Sequence, residues 1–100
     1  MLWAIWSRDV EGSAEIRSRM RDKHQAYMKN PPVKVVVAGP LLDEARTKPD
    51  GSLFVVEADD RATVEAFVAN DPFNGAGVWR STEIVPIRVS RVDLPTLTAR

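Results

Sequence analysis

The sequence predicts an α+β domain in which two helices cover one face of a four-stranded antiparallel sheet. Three observations predict it. The patterned segments run strand, helix, strand, strand, helix, strand; helix-stopping or turn-forming residues separate them; and at least two of the strand segments are apolar at both alternating sets of positions. One hundred residues suffice for one core and leave little for a second, so a single domain is expected.

The first segment, Leu2 to Trp6, is apolar at Leu2, Ala4 and Trp6 and again at Trp3 and Ile5, so the strand needs cover on both faces. Ser7 to Gly12 turns polar, and Ser13 stands where a side-chain oxygen caps a helix, with Glu15 in the favourable first turn. The spacing predicts a helix from about Ser13 to Met28. Ile16, Met20 and Tyr27 fall in one stripe at about 100° per residue, while Ser18, Arg19 and Asp22 look elsewhere. Asn30-Pro31-Pro32 stops this helix, because proline lacks the amide proton and biases its predecessor away from helical angles.

Val33 to Leu42 reads as a strand, and Val35-Val36-Val37, apolar on both faces, places it in the middle of the sheet. Pro49-Asp50-Gly51 is turn chemistry, and Ser52 to Ala58 then forms the next strand, antiparallel to the last. Asp59-Asp60 supplies an N-cap for a second helix with Val64, Phe67 and Val68 on one face, ending near Asn70 before Asp71-Pro72. Val78 to Val89 is the last strand, with Pro86 tolerated at an edge or a bulge. Ser90 to Arg100 carries no strong pattern, so the expected division is a domain over 1–89 and a C-terminal tail over 90–100.

The order of elements folds into a ferredoxin-like βαββαβ arrangement. Two helices cover one face only, and the surplus of apolar strand positions, with three tryptophans, calls for a partner on the other. A second copy packed sheet to sheet in a closed homodimer is the simplest one. Fourteen basic residues balance fourteen acidic ones, so the chain has no net field to draw nucleic acid or anionic lipid, and neither is expected as a partner. The absence of cysteine excludes disulfides, thiolate catalysis, zinc-thiolate sites and iron–sulfur clusters. Met1-Leu2-Trp3 leads to a charge by Arg8 without a basic leader or a long apolar run, and the expected location is the cytoplasm.

With the elements placed, the sequence resembles the YciI (YCII-related) family from about Leu2 to about Val89. The resemblance rests on the first strand ending at Asp9, Arg17, Arg21 and His24 on one helix, Ala38-Gly39-Pro40-Leu41 on the second strand, and Gly51-Ser52 opening the third. Asp71-Pro72-Phe73, Gly77-Val78 and the strand around Pro86 complete it. It implies a dimeric α+β barrel with a small-molecule pocket containing a histidine–aspartate dyad, here His24 and Asp71. In one branch it implies elimination of HCl from a chlorinated hydroxyquinol-type ring. Asn30-Pro31-Pro32 and the tail depart from the family pattern at the pocket rim or the dimer contact.

His24 is the only histidine, and imidazole is the side chain suited to proton transfer near neutral pH. It lies about 60° from the centre of the apolar stripe, at the border of core and solvent, which suits a pocket wall or a half-buried structural histidine. Asp71 either orients that imidazole or caps the turn that follows it. Arg17, about two turns from His24, is placed to hold an anionic substrate, with Arg21 pointing further away; both also suit a solvated helix face. Asp9 pairs with one of these arginines or serves as a turn aspartate. Gly39, Pro40 and Ser52 are the other expected pocket contacts. Gly51-Ser52 lacks the lysine and further glycines of a phosphate loop, and one histidine among scattered carboxylates gives no metal-ligand spacing, so neither metal nor cofactor is expected. Two functions follow: a cofactor-independent lyase or isomerase acting on a small oxygenated ring, or a non-catalytic dimeric ligand-binding module.

Overall fold

The computed structural model describes residues 1–99. The elements are β1 (Leu2–Asp9), α1 (Ser13–Lys29), β2 (Lys34–Leu42), β3 (Pro49–Glu57), α2 (Arg61–Ala69), the single turn α3 (Pro72–Gly75), β4 (Trp79–Ile87) and a short α4 (Leu94–Thr98). The four strands form one antiparallel sheet in the order β2-β3-β1-β4. This is the ferredoxin-like arrangement.

The register decides which side of the sheet is core. Trp3 lies opposite Val56 and Ile5 opposite Phe54, and all four are buried under Val64, Phe67 and Val68 of α2. Ile16, Met20 and Tyr27 of α1 pack against the same cluster, as their spacing requires. The intervening residues form the other face, where Trp6 opposite Leu53 and Ala4 opposite Val55 leave an apolar surface with Trp6 52% exposed. The tail of the core is closed by Phe54 meeting Phe67 edge-on at 5.5 Å and Trp79 at 6.2 Å.

Four expectations are corrected. The strand bearing Val35-Val36-Val37 is an edge of the sheet, not its centre; its second apolar side belongs to the uncovered face, and a register shift between Val35 and Val37 leaves Val36 exposed. Ser13 does not cap α1. Gly12 is the cap residue, at φ 75°, a left-handed angle that glycine adopts without strain, while Ser13 Oγ donates to Asp9 Oδ2 at 2.6 Å. Pro49-Asp50-Gly51 is strand, not turn: Gly51 pairs with Arg8 and with Leu41. The turn lies earlier, where Asp43 Oδ1 accepts from the Thr47 and Lys48 amides at 2.9 and 3.3 Å; these bonds hold the Asp43 carboxyl below its ordinary range. The tail, expected to lack pattern, makes α4, capped by Asp93 accepting from the Thr96 amide at 3.1 Å.

Two local features behave as read: Asp60 Oδ1 accepts from the Thr63 amide at 2.8 Å at the start of α2, and Pro86 lies on edge strand β4, where proline is tolerated. No helix among the described residues is long and apolar enough to cross a membrane.

Gly51 has a packing reason to be glycine. A Cβ there would collide with the backbone carbonyl of Ser7 and press on the Leu41 side chain. A backbone atom in a central strand pair has little room to retreat, so Gly51→Ala is expected to cost about 1–3 kcal/mol in urea unfolding, with a neutral result contradicting this packing.

Candidate active site

α1 supplies one wall of the site. Residues seven apart on a helix share a face, which brings Arg17 and His24 to the same side with Arg21 between them at its edge. The facing wall is β2 and β3 through Ala38, Gly39, Pro40 and Ser52, and Phe73 of α3 closes one end. The cavity between them measures about 410 Å³, within the range of small-ligand sites.

Asp71 stands behind His24. The chain leaves α2 at Asn70, and Asp71 in extended conformation caps α3, its Oδ1 accepting from the Phe73 amide at 2.8 Å. The same Oδ1 lies 2.9 Å from His24 Nδ1. The side chain of Asp71 is 1% exposed and that of His24 19%, so the carboxylate is sealed while one edge of the imidazole reaches the cavity. Where Asp71 is a carboxylate it can only accept, so the proton of a neutral imidazole then sits on Nδ1 and Nε2 is left to accept. Asp71 Oδ2 is buried with no hydrogen-bond partner among the described residues. Next to this pair, burial first and the Asp71 charge second raise the Tyr27 hydroxyl above its ordinary value, and it remains a donor to Phe67 O at 2.8 Å.

Arg17 is held differently from a free anion-binding arginine. It is 9% exposed, and its Nε donates to Asp9 Oδ2 at 2.7 Å while Nη2 donates to Asp9 Oδ1, Gly51 O and Ser52 Oγ at 3.0, 2.8 and 3.0 Å. Ser52 Oγ also accepts from Trp79 Nε1 at 3.2 Å. Asp9 is thus the arginine's partner, and the pair ties the end of β1 and the start of β3 to α1. Nη1 makes no hydrogen bond among the described residues, and the guanidinium lies 5.0 Å over the Phe73 ring. Arg21 is exposed at the cavity mouth. The ion pairs among the described residues are Arg17–Asp9 and His24–Asp71, so Arg21 brings an uncompensated positive charge to a lining that contains no carboxylate.

The structure therefore brings His24, Arg17, Arg21, Gly39, Pro40 and Ser52 to one cavity, with Asp71 directly behind His24 and within the same chain. Sequence reasoning missed Phe73 as a site residue, and Gln25, Met28, Ala38, Pro49 and Phe54 as lining. For Phe73 a signal existed, since Asp-Pro at a cap fixes where the next residue points; the others carry none. Among the described residues no three His, Cys, Asp or Glu side chains come together as a metal site.

Several solved structures share this architecture. The 5-chloro-2-hydroxyhydroquinone dehydrochlorinase of Burkholderia phenoliruptrix, solved with 2,5-dihydroxybenzoquinone, is 32% identical, with 88% of this chain and 94% of that one covered and a TM-score of 0.81. An antibiotic biosynthesis monooxygenase is 17% identical over 91% of this chain and 100% of its own, with a TM-score of 0.55, and shares the fold. Among curated proteins no sequence match was found. The YCII-related domain matches residues 1–88, the whole sheet and all of the cavity lining, and the chain belongs to the YCII-related family.

Proposed function

We propose that the protein is a cofactor-independent acid–base enzyme of the lyase or isomerase type that removes HCl from a small chlorinated, hydroxylated ring. The observation that carries this is the His24–Asp71 pair, a half-buried imidazole on a sealed carboxylate at the wall of a cavity with two arginines and no acid. The likeness to a dehydrochlorinase supports the reaction class.

In this reading His24 Nε2 takes the proton of a ring hydroxyl, and the electron pair moves into the ring. The carbon bearing chlorine then receives a proton from the imidazolium. Loss of a second hydroxyl proton expels chloride and leaves a hydroxyquinone, so one HCl departs and no external oxidant or reductant is consumed. Asp71 keeps the proton on Nδ1 and stabilises the imidazolium that forms. Arg21, with the free edge of Arg17, faces the oxyanion. Gly39 and Pro40 give a flat floor, and Ser52 holds Arg17 in place.

The test is chloride release from a chlorinated hydroxyquinol, followed with formation of the quinone chromophore. Binding without release would instead favour the ligand-binding module and sink the catalytic reading. The open sheet face is proposed to pair with a second copy: Trp6, Leu53, Val55 and Val85 are apolar, and the chain's balanced charge does not repel its twin. Sedimentation should give twice the chain mass, and Trp6→Glu should give the monomer; a monomeric wild type would remove the dimer.

A further inference from the structure

We infer that Phe73 is a positioning residue for His24, holding the imidazole in the one orientation that keeps Nδ1 on Asp71 and Nε2 toward the cavity. The inference rests on the reading of His24 as the base. The Phe73 ring lies parallel to the imidazole, with 4.0 Å between centroids and 7° between planes. Phe73 is buried, and its ring is held edge-on by Trp79 at 6.3 Å. Its backbone amide donates to the oxygen that binds His24. One three-residue segment, Asp71-Pro72-Phe73, thus supplies both the acceptor and the surface on which the imidazole rests.

The second contact is needed because the first is a single point. A hydrogen bond at Nδ1 fixes that atom, yet the terminal torsion of histidine is broad and two-fold, and the ring can rock or flip about it. A flat, immobile ring on its face removes the rocking, while a half-turn flip would keep the rings stacked but take Nδ1 off Asp71, so the two contacts together leave one orientation. The stack also depends on charge. Two neutral rings in near face-to-face overlap gain little, whereas a cation over a phenyl face is attracted to it. The contact therefore tightens when the imidazole takes up a proton, and its benefit falls in the chemical step, not in substrate binding.

The test compares Phe73→Leu, which keeps apolar volume without a ring, with Phe73→Tyr, which keeps the ring. Phe73→Leu should lower kcat about tenfold with KM nearly unchanged, and Phe73→Tyr should restore most of it. The independent readout is NMR of His24. In the wild type its ring protons should be shifted upfield by Phe73 and its nitrogens should show the Nδ1-protonated form; both signatures should weaken in Phe73→Leu. An unaltered kcat in folded Phe73→Leu, or an unaltered imidazole spectrum, overturns the inference. Should Phe73→Leu not fold, absence of the upfield shift in the wild type overturns it and its presence with an active Phe73→Tyr supports it. Full activity of His24→Asn would instead defeat the base assignment, an outcome the spectra register separately.

Discussion

His24→Asn is expected to fold normally and to lose about 10²–10⁴-fold in kcat, the usual contribution of a positioned general base. Asparagine keeps a polar group beside Asp71 but has no ring to lie on Phe73 and cannot take up a proton. Normal folding is expected because His24 lies at the margin of the core, with one edge on Asp71, one face on Phe73 and the other edge toward the cavity. Asp71→Asn separates the two members of the pair. If its amide oxygen keeps accepting from the Phe73 amide and from His24 Nδ1, the new NH₂ replaces Oδ2, which already has no partner in its buried surroundings. If the amide turns round, it donates to Nδ1 and drives the imidazole proton to Nε2, the edge that must accept. Either outcome impairs the proposed proton transfer, so the loss should lie between wild type and His24→Asn. Undiminished chloride release by His24→Asn would remove the assignment.

The second large effect is on stability. Arg17→Met should destabilise the fold by about 3–5 kcal/mol, because it strips the partner from a buried carboxylate. Asp9 has only a 3% exposed side chain, and its remaining donor would be the Ser13 hydroxyl. Gly51 O and Ser52 Oγ lose a donor at the same time. Against a typical total of about 5–15 kcal/mol, such a loss leaves a substantial unfolded fraction. Adding Asp9→Asn should recover part of it, since a neutral amide costs less to bury unpaired. The check is urea unfolding of both single variants and the double variant; a single variant within about 1 kcal/mol of wild type would show that the pair is not desolvated.

Local chemistry made much of this legible in advance. The apolar stripe of α1, the Asp60 cap and the stop at Asn30-Pro31-Pro32 each follow from residues within a few positions of one another, whereas the local apolar run of β1 ends at Trp6 and the strand continues to Asp9. What failed was where two physical causes leave one pattern. Three valines apolar on both faces arise in a strand covered on both sides, and equally in an edge strand whose second side is left open. Pro49-Asp50-Gly51 has the composition of a turn, but Asp43 organises the reversal earlier and the cross-strand pairs of Gly51 outweigh local preference. At the site, His24 was singled out because no other imidazole exists in the chain. That Asp71, 47 residues away, meets it within one chain depends on how α3 sits against α1, which no local rule supplies.

Arg17 belongs at once to the cavity wall and to the strut joining β1, β3 and α1. Selection for a different ligand cannot act on it freely, since a change that reshapes this side also loosens the molecule. The exposed rim, made by the β2 edge at Ala38 to Pro40 and by Arg21 and Gln25 of α1, carries no such duty. Divergence in what relatives accept should therefore accumulate along one border of the cavity, while the other stays constant for reasons unrelated to the ligand.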